Sequence, residues 1–494
     1  MSDVPELDAA GLPTELSAFD LLMHAGEGNP RTRSGILGVQ ILDTAPEWER
    51  FLTGLENASR HVLRLRQKVV VPTLPTAAPR WVVDPDFNLT FHVRRMRVPE
   101  PGTLRELLDL AELSLQSPLD ISRPLWTVTL VEGLANGQAA VLLHMSHAVS
   151  DGVGLVEMFS HIYDLERDPP PRATAPLPIP EDLSANDLMR QGINRLPGAI
   201  VGGVWGAVSG AVQVVGRVVR DPVSAVSGVV DYARSGTRVM GSAAEPSPLL
   251  RRRSLSTRSE AIDVQLADLR LAAKAAGGSI NDAYLASLCG ALRMYHEELG
   301  VPIDTLPMAV PVNLRSEADP AGGNRFAGVN LAAPVGIVDP AARIQEIRAQ
   351  MTQRREEPAI DMIGAIAPVL SVLPTAVLES MAGSIVASDV QASNVPMYAG
   401  DIYVAGAKIL RQYGLGPLPG VAMMVVLVSL AGSCTITARY DRASVTDSAL
   451  FARCLLAGFD EVLALGGESR AIPASFTPDT VESNPSSPNG SVGS

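Results

Sequence analysis

Cysteine is almost missing from this 494-residue chain: Cys289, Cys434 and Cys454 are scattered, odd in number and lack metal-ligand spacing. A disulfide framework and a zinc site are therefore not expected, and a reducing, cytoplasmic setting is. Cations are also in deficit. Forty Lys and Arg against 53 Asp and Glu leave a formal net charge of −13. Displacing counterions from a phosphate backbone takes a basic face, so no nucleic-acid partner is expected. The same sign opposes global attraction to anionic membranes, so any membrane contact must be local or hydrophobic. The opening residues MSDVPELDAAGLP have no basic region followed by an apolar stretch, and no secretory leader is expected.

What is present is mostly aliphatic. Hydrophobic residues make up 46% and charged residues 19%, with a mean hydropathy of +0.17. That value fits a greasy substrate or a large Ala/Val-rich core equally well. The length exceeds what a single core supports, so two packed halves are expected.

Residues 1–165 read as a first α/β half. Apolar runs at 36–42 (ILGVQIL) and 138–146 (QAAVLLHMS), bounded by turn residues, predict buried strands. Between them, 47–65 and 103–116 carry leucines at helical spacing. Residues 166–260 read as a crossover linker, Pro-rich at 166–180 and irregular at 241–260. Inside it, Leu196 to Gly216 has no charged residue, six glycines, and Gly198, Gly202, Gly206 and Gly210 on one helical face. This segment reads as a helix packed on the protein, a surface helix touching lipid, or a true span.

Residues 261–472 read as the second half. Helices are predicted at 264–276 and 281–299, the latter capped by Ser279 and Asp282 and closed by Gly300. Strands are predicted at 308–314, 327–332 and 421–431; the last (VAMMVVLVSLA) is continuous rather than alternating, so both its faces should be buried. Residues 473–494 are rich in Ser, Pro, Asn and Gly and predict a disordered tail.

The chemistry concentrates in 124–154, PLWTVTLVEGLANGQAAVLLHMSHAVSDGVG. The apolar strand ends at Ser146 and a polar turn follows, which stands His147 at a strand end where its ring can enter a crevice. Asp151 comes four residues later, and Gly152 lets the chain turn sharply. A general base must be held in one rotamer, and a nearby carboxylate that fixes the loop would do that. Polar turns after buried strands also collect His, Ser, Asp and Gly by chance, so these residues alone do not specify catalysis.

HAVSDG with PLW about twenty residues before it resembles the H-H-x-x-x-D-G signature of the wax ester synthase/diacylglycerol acyltransferase family. That family belongs to the coenzyme A-dependent acyltransferase superfamily, with the peptide-synthetase condensation domains. Further landmarks follow in family order: LRLRQKVV (63–70), SPLDISRPLW (117–126), IND within 279–295, PVNLR (311–315), SNVP (393–396), YVAGAK (403–408) and ARYDRASVTD (438–447). The likeness spans roughly residues 15–465.

The resemblance implies an α/β (α+β) fold of two chloramphenicol-acetyltransferase-like halves with a tunnel between them. It implies an O-acyltransferase carrying a long-chain acyl group from acyl-CoA to a lipid alcohol, diacylglycerol or fatty alcohol, and making triacylglycerol or wax ester. His147 takes the place of the family's general base. Asp151 matches the motif aspartate that holds the loop through an arginine, for which Arg64 or Arg66 is suited, and Gly152 matches the turn. Asn281 and Asp282 match an N-D pair, structural or pocket-lining. Pro124, Leu125 and Trp126 match the PLW that packs near the tunnel. No metal and no bound cofactor are implied; acyl-CoA is a co-substrate.

Two departures stand out. The family's first histidine is Ser146 here, with His144 two residues earlier; strand alternation puts His144 and Ser146 on one face and Met145 and His147 on the other. His144 therefore does not replace the missing imidazole, and activity should be weakened rather than abolished. Met397 follows SNVP where the family has glycine.

A metal site from His144, His147 and His161 is discounted by the opposed strand faces. A nucleophilic Ser146 or Ser150 is discounted because neither sits in a G-x-S-x-G elbow. For the phosphates of coenzyme A the candidates are Arg251, Arg252 and Arg253 with Arg258 behind them, or Lys408, against the plainer reading of a solvated linker. Rival functions are a same-fold acyltransferase for a polyketide or glycolipid hydroxyl, and a non-catalytic lipid-binding paralogue. The expected location is cytoplasmic, with room for peripheral contact at the inner face of the plasma membrane or at lipid bodies. No motif sets chain length, acceptor or oligomeric state.

Overall fold

The structure, a computed structural model, describes residues 13–74, 76–149, 160–170, 172–195, 244–313, 326–355 and 388–476. The first helix, α1 (Ala18–Gly26), starts on a reciprocal cap: Asp20 N–H donates to Ser17 Oγ at 3.1 Å and Ser17 N–H donates to the Asp20 carboxylate at 3.4 Å. β1 (Gly35–Leu42), α2 (Trp48–His61), the pair β2 (Gln67–Val70) and β3 (Arg80–Val83), and the single turn α3 (Leu89–His92) follow. β4 (Val93–Arg97), α4 (Leu104–Gln116), β5 (Trp126–Glu132) and β6 (Ala139–Ser146) complete this part.

After α5 (Ala185–Arg195), the chain runs through β7 (Thr257–Gln265), α6 (Leu266–Ala275), α7 (Ile280–Glu298), β8 (Leu306–Asn313), β9 (Phe326–Ala333) and α8 (Pro340–Arg355). It ends with β10 (Val390–Pro396), β11 (Tyr403–Val404), β12 (Ala407–Leu415), β13 (Met423–Leu430), β14 (Ser433–Asp441), α9 (Ser448–Leu463) and β15 (Ile472–Pro473).

Two sheets organise these elements. One is six-stranded in the order β11-β12-β1-β6-β5-β4; the other is seven-stranded in the order β15-β7-β14-β13-β10-β8-β9. The central strand β6 is buried along its whole length. On one face Leu107, Leu108 and Ala111 of α4 meet Leu37, Val39 and Leu142. On the other, Phe51 and Leu55 of α2 meet Val141, Leu143 and Met145. Two covered faces are what an unbroken apolar run demands, since each fully buried side chain of this size contributes about 1.5–3 kcal/mol. β13 repeats the arrangement: Met423, Val425 and Leu427 enter the core under α7 and α9, while Met424, Val426 and Val428 form a separate cluster on the opposite face.

The helices and strands read from the sequence recur within a few residues, including the cap of α7, where Ser279 Oγ and N–H both donate to Asp282 Oδ2 at 2.8 Å. Three expectations are corrected. Sequence order does not divide the sheets: β12 pairs antiparallel with β1, from Leu37↔Leu415 to Ile41↔Arg411, so a segment of the second half completes the first sheet. Its apolar positions Ile409, Tyr413 and Leu415 are buried there. β7 begins at Thr257, ahead of the boundary expected at 261. Residues 473–476, assigned to the tail, are ordered instead: Ile472 and Pro473 pair with Asp263 and Ile262, and Ser475 Oγ accepts the Ala261 N–H at 2.8 Å. Leu196–Gly216 and 477–494 lie outside the described residues, among which no helix is long and apolar enough to cross a membrane.

Candidate active site

β6 delivers the motif. Its last residues are fixed on both sides: Gly35 of β1 lies opposite Ser146, Trp126 of β5 opposite Met145, and the Ser146 N–H donates to the Leu125 carbonyl at 3.0 Å. The turn then tightens. His147 N–H donates to the Ser34 carbonyl at 3.1 Å, and Val149 N–H donates to the Ser146 carbonyl at 3.1 Å. His147 is half-buried at this corner. Asp151 and Gly152, like Ser150, lie outside the described residues.

The residues of PLW anchor the neighbouring strand, and Pro124 and Trp126 also line a groove described below. Leu125 and Trp126 are buried, and Trp126 Nε1–H donates to the Leu65 carbonyl at 2.8 Å. The ring of His92 stacks on Trp126 at 4.5 Å, with His92 Nδ1 at 2.7 Å from the Trp126 carbonyl oxygen. A carbonyl only accepts, so Nδ1 carries the proton. Of the arginines considered for Asp151, Arg66 donates to Glu56 at 2.6 Å, whereas Arg64 lies over the Trp81 ring and donates to Gln67 at 2.8 Å.

Asn281 and Asp282 stand in the first turn of α7, in the second half. Asp282 commits its carboxylate to the helix cap, and neither residue lines the cavities described here. The structure thus gathers Pro124–Trp126, Ser146 and His147 at one strand end and gives Asp282 a capping role.

His144 lies on the α4 face of the sheet, opposite to Met145, as alternation predicts. Its Nε2 is buried without a hydrogen-bond partner among the described residues, and a Cβ on Gly35 would lie 2.9 Å from it. Burial, reinforced by Arg33, Arg94 and Arg439, pushes its pKa down to about 3, so the ring is neutral. It lines a groove of about 300 Å³ walled by Phe91, Met96, Leu110 and Leu142. His161 stacks instead against His61 at 5.3 Å. The three imidazoles considered for a metal thus occupy different surroundings.

A larger cavity of about 750 Å³ opens between the halves. One wall is the loop before β1 with the end of α4; the other is the entry to β7, the β12–β13 connection and the end of β14. Four guanidinium groups, Arg31, Arg33, Arg253 and Arg439, line it, with Asp441 as the single carboxylate among its lining residues. Arg33 is braced by the carbonyls of Gln116 at 2.7 Å and Glu27 at 3.2 Å. Of the basic residues singled out from sequence, only Arg253 lines this cavity; Arg258 is paired with Glu260 at 2.6 Å and Lys408 with Asp401 at 2.6 Å.

Sequence reasoning missed Arg31 and Arg33, which lie two residues apart, and Arg439, some 400 residues later, which joins them only through the packing of the two halves. It also missed Glu27, a buried carboxyl at the end of α1. Burial raises the Glu27 pKa, against the pull of the Ser146 and Ser34 hydroxyls and Arg33. Nothing in a lone Glu between two glycines signals that position.

Comparison with known proteins gives the family and the fold. A model of the wax ester synthase/diacylglycerol acyltransferase catalytic domain matches residues 6–284, and one of the WS/DGAT C-terminal domain matches residues 322–462. A Mycobacterium tuberculosis (strain H37Rv) protein provisionally named diacylglycerol O-acyltransferase is 73% identical over 482 residues, covering 97% of this chain and 98% of its own length. Another protein of that strain with the same provisional name is 29% identical over 379 residues, covering 74% of this chain and 77% of its own. In fold, the chain is similar to the wax ester synthase/diacylglycerol acyltransferase of Marinobacter aquaeolei VT8, with a TM-score of 0.61 at 20% identity over 92% of this chain and 100% of that one. It is also similar to the first condensation domain of the calcium-dependent antibiotic synthetase, with a TM-score of 0.57 at 14% identity over 96% and 99%. The chain belongs to the wax ester synthase/diacylglycerol acyltransferase family and is an acyltransferase of that family.

Proposed function

We propose that this acyltransferase moves a long-chain acyl group from acyl-CoA to the hydroxyl of a lipid alcohol, diacylglycerol or a fatty alcohol, with His147 as general base. The observation that carries the reading is where His147 stands. It ends a strand buried on both faces, and its N–H is bonded to Ser34, whose chain neighbours Arg33 and Gly35 both line the cavity between the halves. A base there is held by backbone hydrogen bonds at the ends of β1, β5 and β6.

The chemistry needs that base because an alcohol is a weak nucleophile at neutral pH. The imidazole takes the acceptor's hydroxyl proton as the oxygen attacks the thioester carbonyl. The tetrahedral oxyanion collapses, the carbon–sulfur bond breaks, and the proton passes from the imidazolium to the leaving thiolate. Transfer is direct, without a covalent enzyme intermediate. Arg31, Arg33 and Arg253 give the donor side a cationic cavity for the phosphates of coenzyme A. Diacylglycerol is favoured as acceptor by the name of the relative that is 73% identical. We place the reaction in the cytoplasm, with its greasy substrates met at a membrane or lipid-body surface through local hydrophobic contact.

Purified protein given palmitoyl-CoA with dioleoylglycerol, hexadecanol or a glycolipid alcohol, beside its His147→Ala variant, tests this. Ester from dioleoylglycerol or hexadecanol that falls by about 10²–10⁴-fold in the variant is the expected result. Equal turnover by both proteins removes His147 from the mechanism. Ester from the glycolipid alone, or none from any acceptor, favours the rival readings that the Ser146 substitution suggests: another hydroxyl acceptor, or a lipid-binding paralogue.

A further inference from the structure

Ser146, where the family has its first histidine, is part of a buried polar anchor. Its Oγ donates to Glu27 Oε1 at 2.5 Å, and Ser34 Oγ donates to the same oxygen at 2.8 Å. Exposure is 2% for Glu27 and 0% for both serines. Ser146 Oγ also accepts the N–H of Ala148 at 3.2 Å, while the Ser34 carbonyl accepts the N–H of His147 at 3.1 Å. The residues before and after His147, and His147's own amide, are therefore tied through two serines to one carboxyl group. Glu27 is itself fixed, with its N–H on the His24 carbonyl at 3.2 Å and its own carbonyl accepting Arg33 Nε at 3.2 Å.

Sinking a carboxyl this deep is costly, and for stability alone an apolar pair would serve as well. What the carboxyl provides is direction: a single fixed oxygen onto which two hydroxyls converge, one from the end of β6 and one from the residue before β1. We propose that Glu27, acting through Ser146 and Ser34, is a positioning residue for His147, and that the Ser146 hydroxyl, where the family has its first histidine, is the anchor on the β6 side. The inference rests on His147 being the base. Both hydroxyls donate to Oε1 whether the carboxyl is ionised or carries a proton on Oε2, so the anchor needs only an oxygen acceptor at this place.

The test uses the full chain with palmitoyl-CoA and dioleoylglycerol. Ser146→Ala and Glu27→Ala should each lower kcat by about 10–100-fold, the cost of letting a base drift by around an ångström, with KM for both substrates unchanged. The double variant should be no slower than the worse single one, because both break one link. Glu27→Gln keeps an oxygen acceptor and should stay close to the parent. Thermal melting of each variant separates loss of position from loss of fold; if Glu27→Ala does not fold, Ser146→Ala decides alone. Parental kcat in Ser146→Ala, with His147→Ala inactive, overturns the anchor and leaves the base in place. A fully active His147→Ala overturns the base and the anchor with it.

Discussion

Arg439 of β14 reaches across the seam between the halves to Glu112 of α4, its Nε lying 3.2 and 3.1 Å from the two carboxylate oxygens. Both side chains are buried, and Glu112 also accepts the Ser259 and Thr257 hydroxyls, each at 2.5 Å. Arg439 is also one of the four cations lining the cavity between the halves. Breaking one partner leaves the other charge buried and alone. Glu112→Gln should therefore cost about 3–5 kcal/mol of stability by denaturant unfolding. Combining it with Arg439→Met should restore most of that loss, because the uncompensated charge is then gone. A double variant as unstable as Glu112→Gln would show that the seam relies on something other than this pair.

The cavity's remaining cations predict how the donor binds. The Arg31 side chain is exposed, and Arg253 is half-buried against the Gly420 carbonyl at 3.4 Å. Arg31→Ala should raise KM for palmitoyl-CoA about fivefold, worth about 1 kcal/mol of screened attraction, with kcat untouched. The same substitution should flatten the rise of KM with added salt. A change confined to the acceptor's KM would move the coenzyme to another entrance.

Much of this was legible in the chain, and the pattern of what was not is physical. The buried strands β6 and β13 were readable because an unbroken aliphatic run has only one stable environment, with both faces covered. α7 was readable because its cap lies within four residues of sequence. The place of β12 beside β1 was not. Its pairing depends on a partner 378 residues away, as in Leu37↔Leu415, and short strands carry no local address for their neighbours. The site divides the same way. His147 and PLW stand out as a motif, whereas Glu27, Arg33 and Arg439 acquire meaning only when α1, α4 and β14 converge.

Close helix packing in the second half gives a sharper steric prediction. A Cβ on Gly458 of α9 would lie 2.5 Å from both the Ala291 nitrogen and the Ser287 carbonyl oxygen of α7. Backbone cannot swing aside as a flexible side chain can. Gly458→Ala should force the two helices apart and cost about 1–3 kcal/mol or more, visible as a lower melting temperature. Gly54→Ala, on α2, meets nothing within 4 Å and is the matched control, expected to leave melting unchanged or raise it slightly. Equal melting of the two variants would mean that α7 and α9 are not in this contact.

Buried imidazoles make the fold sensitive to acid. His24 is lowered to about 4 and His144 to about 3, each by burial. In the unfolded chain both titrate near the ordinary value of about 6.5. Between about 6.5 and 3 the unfolded state therefore holds more protons than the native state, so stability falls as pH falls through this range. Below about 3 both states are protonated and these groups add no further slope. Each unit of depression is worth about 1.4 kcal/mol, so the two rings together account for several kcal/mol of acid sensitivity. Glu27, Asp263 and Asp389, raised by burial, act the other way, because the native state then takes up protons more readily than the unfolded one. Comparing His144→Leu with its parent cancels those shared contributions. The variant gives up no hydrogen bond at Nε2, so it should match the parent near pH 7 and hold a growing advantage in denaturant midpoint as pH drops from 6.5 toward 4. Parallel curves across that range would mean that the ring at 144 takes up its proton in the folded protein as easily as in the unfolded one, and that it is not sealed against Gly35 as the fold places it.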